Sequence, residues 1–530
     1  MRIRRALLAL CLACGLAATA PATADTPKNM VVMAAMLDEF ISLDPAEIYE
    51  LVPIEYAANV YDRLVRTDPR RPGEILPGLA ERWSVADDGR TFTFTLRRGA
   101  RFHSGREVTA ADAAWSLARL VRLNKGPAFL LTQMGFSADN VAERIRATDA
   151  TTLVLVTGER YAPTFVLNCL GAWAASVLDR ELLLANEVNG DLGNAWLKTR
   201  EAGSGPFRLV ALRAGEALTL EAFPGHWQDH PAMRRVVLRH VPEAAAQRLL
   251  LEKGDVDIAR NLGPDDLAAL RANPDVRVRT VPAADLLYLG LNTRHPAFAK
   301  PAVREALKWL VDYEGISRHV FRETHVPHQT FLPAGFFGAI DDLPYRFDPS
   351  RAKALLAAAG YPDGFSATID VRKGYPGQDL AQILQANFAQ AGVRLELLVA
   401  DNKQTLTRYR ARQHDIYQGY WAPDYIDPHS NAQGFAWSPD NGDASPNRLL
   451  AWRNAWDIPD YTRRTEAALA EPDPARRRAA YEALQRDFVR DAPFVILFQK
   501  VLTLAERRGV EGFVTGPIND QFFYSEIVKR

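Results

Sequence analysis

The stretch that most constrains this chain is residues 366–399. Residues 366–371 read as a strand, and Leu380, Ile383, Leu384, Phe388 and Ala391 form one stripe of a helix ending at Gly392. Val393, Leu395, Leu397 and Val399 then alternate as a second strand. Strand, helix and strand at this spacing predict a parallel βαβ unit. That places the chain in the α/β class, with any ligand crevice at the carboxyl ends of the strands. One further helix separates the unit from residues 414–419, which alternate like another short strand.

At 530 residues the chain exceeds what a single core supports, which predicts two or three lobes. Residues 1–24 read as a targeting segment. Arg2, Arg4 and Arg5 make a basic start, residues 6–18 an apolar run too short to span a bilayer, and Ala22-Thr23-Ala24 a small-residue cleavage site. Export to the periplasm follows. Cys11 and Cys14 fall in the removed part, leaving Cys169 alone with no disulfide partner. The 64 basic and 64 acidic residues balance, and loss of the three arginines makes the mature chain slightly acidic. Nucleic acid and anionic membrane are therefore poor partners.

Residues 419–430 gather the groups best suited to gripping a small molecule. Tyr420, Trp421, Tyr425 and His429 supply rings, Asp424 and Asp427 carboxylates, and Pro423 and Pro428 stiffness. The expectation is an irregular loop leaving a sheet edge, with Tyr420, Trp421 and Asp424 outward and Trp421 lining a pocket beside Tyr425 and Trp437. A packing role for Trp421 and Tyr425, with turn-holding aspartates, stands beside it.

Earlier in the chain, Asp88-Gly89 is a hairpin turn between residues 83–85 and the alternation Thr91-Phe92-Thr93-Phe94-Thr95-Leu96. Thr109 and Asp112 form a capping-box pattern ahead of a helix. Together with Pro77-Gly78-Leu79-Ala80-Glu81-Arg82-Trp83 and Phe102-His103-Ser104-Gly105, this run resembles the bacterial extracellular solute-binding proteins of family 5, the dipeptide- and oligopeptide-binding type that serves ABC importers. Gly203-Ser204-Gly205-Pro206-Phe207, Asp255-Val256-Asp257-Ile258 and residues 289–307 extend the resemblance across the mature chain.

The resemblance implies a type II periplasmic-binding-protein-like fold of three lobes, with the ligand cleft between two α/β domains. Domain I would comprise residues 25–59, 200–285 and 494–530, domain II 60–199 and domain III 286–493. It implies capture of a dipeptide or short peptide by a monomer and delivery to an inner-membrane ABC permease, without a cofactor. Trp421 and Asp424 match the family's Trp-x-x-Asp segment, whose aspartate pairs with a ligand ammonium. Arg372 and Lys373, just before Tyr375-Pro376, lie where dipeptide-type members hold a ligand carboxylate. Another small solute (an opine, sugar, haem or metal complex) is the alternative ligand, and a secreted hydrolase the alternative class.

No enzyme signature competes: the mature chain has no GxSxG elbow, HExxH pair, Walker loop or complete GxGxxG. His325 and His328 flank Pro327, which denies them a shared helical face for a metal. Residues 476–478, three arginines, read as an exposed helical face.

Overall fold

The computed structural model describes residues 25–530 apart from positions 39, 72, 229, 261 and 375. The targeting segment and Tyr375 therefore lie outside the described residues.

One large mixed sheet runs through the molecule. Its strands are β1 (Met30–Ala35), β2 (Phe207–Arg213), β3 (Ala217–Ala222), β4 (Arg235–His240), β5 (Ile258–Arg260), β6 (Val276–Leu291), β7 (His325–Pro327), β8 (Ser366–Arg372), β9 (Arg394–Ala400), β10 (Ile416–Trp421) and β11 (Phe494–Arg507). The spatial order is β9-β8-β10-β6-β11-β5-β1-β4-β3-β2, with β7 pairing beside β11. The expected βαβ unit is present: β8 and β9 pair in parallel, joined by the helix Gly377–Ala389.

The long antiparallel pair β6 and β11 ties two halves together. Core membership changes along each strand. On β6, Ala283 packs in the core of the first half and Leu286 in that of the second; on β11, Phe498 belongs to the second and Leu502 to the first. The ladder loses its regular register between Pro282 and Leu286, opposite Gln499–Val501 of β11. Beyond that passage, Leu287, Leu289 and Leu291 of β6 face one core while Leu286 and Tyr288 face another. Alternate side chains point to opposite sheet faces, so a strand covered on both faces needs the near-continuous apolar run that residues 286–291 supply.

A four-stranded sheet carries the remaining β structure of residues 80–156, in the order Ala80–Val85, Thr91–Leu96, Thr152–Val156, Ile145–Ala147. Its hairpin closes as the sequence predicts: Asp88 accepts hydrogen bonds from the Arg90 and Thr91 amides, and Phe92 and Phe94 are buried. The Thr109–Asp112 capping box opens the helix Ala110–Leu123. Gly203 and Gly205 press on the Val60 backbone, where any Cβ would collide with its carbonyl group. That contact explains why only glycine suits both positions.

Candidate functional site

β10 carries Gly419, Tyr420 and Trp421 inside the large sheet, paired with Tyr288, Leu287 and Leu286 of β6. The stretch 419–430 is therefore not one irregular loop at a sheet edge. Strand pairing continues through Trp421, and Pro428 opens the helix Pro428–Ala436 at a first-turn position where its missing N–H costs nothing. Asp427 caps that helix, accepting from the His429 amide at 2.9 Å. Only residues 422–427 are loop.

Asp424 sits on this loop, half-buried, in a cavity of about 140 Å³ between the halves. Tyr49, Trp173, Asp285, Pro423 and Asn519 share its wall. The Tyr49 hydroxyl donates to Asp424 Oδ1 at 2.5 Å, and the Asp424 amide donates to Ser430 Oγ at 2.9 Å. Trp173 meets Tyr49 edge-on at 5.9 Å, so the stretch 60–199 also reaches the cavity.

Asp424 shares this wall with Asp285, and among the described residues neither has a cation within ion-pair distance. Asp44, Glu55, Asp427 and Asp520 are buried, and each is answered by an arginine: Arg119, Arg260, Arg477 and Arg63, at 2.6–2.7 Å. Among the described residues Asp424 has no cation within ion-pair distance and only the Tyr49 hydroxyl against it. Burial pushes its carboxyl up to about 6, and the Tyr49 hydrogen bond offsets part of that rise. Loss of solvent without a compensating charge is costly for a carboxylate, which is why its proton is held more tightly.

The structure does not bring the other expected rings to this cavity. Trp421 turns its indole onto Phe435 and donates from Nε1 to Asn431 at 3.2 Å, packing beside the second core. Tyr425 is fully buried against Phe165 at 5.9 Å. Trp437 follows the end of the helix Pro428–Ala436 and donates to Glu466 at 3.0 Å. Tyr420 remains 40% exposed, its hydroxyl 3.2 Å from His325 Nε2. Arg372 and Lys373 are exposed at and just past the carboxyl end of β8, on the same sheet margin as Trp421 but not in the cavity wall.

His325 and His328 do not share a ligand. His325 faces Thr324 and Tyr420, and His328 faces the Leu332 carbonyl and Thr330. Of the three arginines at 476–478, Arg477 is buried rather than exposed, because it holds Asp427 from below while Arg476 and Arg478 stay in solvent. A wider concavity of about 440 Å³ under Phe102 and His103 shares no wall with the Asp424 cavity; there His103 bridges Glu201 and the Gly205 carbonyl.

Sequence reasoning missed Tyr49, Trp173 and Asp285. Each comes from a separate part of the chain, and none stands in a local pattern that marks a site.

Comparison with known proteins places the chain in a family. Residues 74–443 match the family described as bacterial extracellular solute-binding proteins, family 5 Middle. The Probable D,D-dipeptide-binding periplasmic protein DdpA of Escherichia coli K12 is 30% identical over 526 residues, covering 98% of this chain and 97% of its own. Di/tripeptide-binding protein 2 of Pseudomonas aeruginosa UCBPP-PA14 is 29% identical over 550 residues, covering 99% of both. Among solved structures, the ABC transporter-associated periplasmic binding protein DppA of Helicobacter pylori, in complex with the peptide STSA, superposes with a TM-score of 0.78 at 24% identity, over 94% of this chain and 98% of that one.

Proposed function

Because the chain belongs to the bacterial extracellular solute-binding proteins of family 5, we propose that it captures a dipeptide or short peptide in the periplasm and hands it to an inner-membrane ABC permease. The observation that carries this reading is Asp424, a carboxylate in the cavity between the halves with no cation within ion-pair distance among the described residues. A ligand ammonium supplies that cation, and the Tyr49 hydroxyl is the donor that stands in for it in the unliganded chain. Closure excludes water and strengthens the pair. Bending is assigned to the irregular passage of β6 and β11, where two strands absorb the change together.

The protein acts as a monomeric binder, and no catalytic step is assigned to it. Among the described residues no helix is long and apolar enough to cross a membrane, which fits a chain that meets its permease from outside. The test is calorimetric titration of the purified mature chain with L-Ala-L-Phe, L-Ala-L-Ala and D-Ala-D-Ala, the last chosen for the relative named as a D,D-dipeptide binder. Saturable one-to-one binding with peptide recovered intact is expected. Cleaved peptide would favour the hydrolase. No binding by any of the three would reject a peptide ligand, and mass spectrometry of the molecule released from native protein would then identify the opine, sugar, haem or metal complex instead.

A further inference from the structure

Beside the ligand cavity the two halves meet a second time. The helix Pro163–Leu170 belongs to the stretch 60–199, and its first residues face the other half. Pro163 takes the opening helical position, where a missing N–H costs nothing. The Ala162 amide just ahead of it donates to the Leu469 carbonyl at 2.9 Å. Leu469 lies in the last turn of the helix Pro459–Ala470, whose final carbonyls have no partner within the helix, so one helix start answers another helix's end. Thr164 Oγ1 accepts from Arg477 Nη1 at 2.9 Å, and the same guanidinium holds Asp427. Phe165 meets Tyr425 edge-on at 5.9 Å and His429 at 5.4 Å.

Tyr425 is the side chain that crosses over. Trp421 and Phe435 on either side of it pack with the second half, yet Tyr425 is buried in the core of the first. Asp424 and Tyr425 are consecutive on the loop 422–427. One side chain therefore enters the ligand cavity while the next enters the opposite half.

The contact is incomplete in its polar atoms. The hydroxyls of Tyr425 and Tyr481 and Nδ1 of His429 are buried without a hydrogen-bond partner among the described residues. Cys169, Asp427 and Tyr481 act on the Tyr425 hydroxyl electrostatically, but none of them bonds it. A core that never opens answers nearly all such atoms. Here ring burial favours docking and the unanswered atoms oppose it, whereas parting the halves returns those atoms to water. Opposed terms leave a contact that can form and break.

We propose that the helix Pro163–Leu170 is a socket for the loop 422–427 and that Tyr425 is a positioning residue. Docked, it sets Asp424 against Tyr49; withdrawn, it carries Asp424 off the cavity wall. Residues 60–199 thereby take part in closure through a face that touches no ligand. The inference rests on the closure in the reading above and not on which ligand is bound.

Hydrogen exchange by mass spectrometry on the ligand-free chain follows residues 160–170 and 465–477, with the strand Thr91–Leu96 as reference. Tyr425→Phe keeps the ring and removes an unanswered hydroxyl. It should slow exchange in both segments about fivefold and tighten binding of the dipeptides above by a similar factor. Thr164→Val removes the acceptor facing Arg477 and should do the reverse in both readouts. A packing role alone would lower the urea midpoint without moving affinity in opposite directions. The reference strand should respond to neither variant. Phe165→Leu is the second opening variant should Thr164→Val unfold. Exchange and affinity indifferent to these variants, or weaker binding in Tyr425→Phe, overturn the socket. If wild type binds no dipeptide, the peptide reading falls, while exchange in the ligand-free chain still decides the socket.

Discussion

Lowering the pH from 7 to 5 should weaken binding of an uncharged-side-chain dipeptide about tenfold and make binding release a proton. The magnitude follows from Asp424, whose carboxyl burial lifts to about 6. At pH 7 about a tenth of the unliganded protein carries that proton, and at pH 5 about nine-tenths. An ammonium pairs only with the ionised form, so at pH 5 each binding event expels close to one proton. The ligand's own ends, near 8 and 3.5, change little across this window. The unliganded fold responds in the opposite sense. A carboxyl raised in the folded state stabilises it fully below the unfolded value of 3.8, and that contribution is lost as pH rises through about 6. Asp520, also lifted to about 6 by burial, acts in the same direction. Calorimetry in buffers of different ionisation enthalpy counts the protons directly. A dissociation constant that stays flat between pH 5 and 7 with no proton release would refute the ammonium–carboxylate pairing, as would the same pH dependence in Asp424→Asn.

Asp424→Asn should weaken peptide binding by about 2–5 kcal/mol, roughly thirtyfold or more, and N-acetylating the peptide should add little in the variant; additive losses by calorimetry would mean that the two groups do not meet. Tyr49→Phe removes the donor that lowers the Asp424 pKa, so a carboxyl NMR titration should move upward from about 6, and a downward move would show that the hydroxyl is not what holds it. Arg477→Met leaves Asp427 buried without its partner and should cost about 3–5 kcal/mol, read as a lower urea midpoint; an unchanged midpoint would show that Asp427 is adequately solvated without it.

The sequence disclosed what local pattern controls. The βαβ unit at 366–399, the Asp88-Gly89 hairpin and the Thr109–Asp112 cap are each set by periodicity or by a turn, and all are present. Asp424 could be proposed from the sequence only because the contiguous Trp421-x-x-Asp424 segment resembles one in the family. The partners that give it meaning were not legible, because Tyr49 lies 375 residues away in sequence and meets it only through the tertiary fold. Composition also misleads where burial decides: an aromatic-rich segment looks like a ligand surface, yet Tyr425 is packed against Phe165 and Trp421 against Phe435. Arg477 fails the same way, since three consecutive arginines look solvated until one turns inward to a buried carboxylate.

The break in the β6 ladder borders the Asp424 cavity. Asp285 lies where that ladder loses register between Pro282 and Leu286, and it lines the cavity. Under the proposed mode, bending there changes the distance from Asp424 to Tyr49. A ligand ammonium that pairs with Asp424 then favours the closed arrangement by a contact that the open one lacks. Moving a two-state equilibrium from 1:99 to 99:1 requires about 5.5 kcal/mol of differential binding, of which one desolvated ammonium–carboxylate pair supplies about 2–5 kcal/mol, so the ligand's remaining contacts with the two halves must supply the rest.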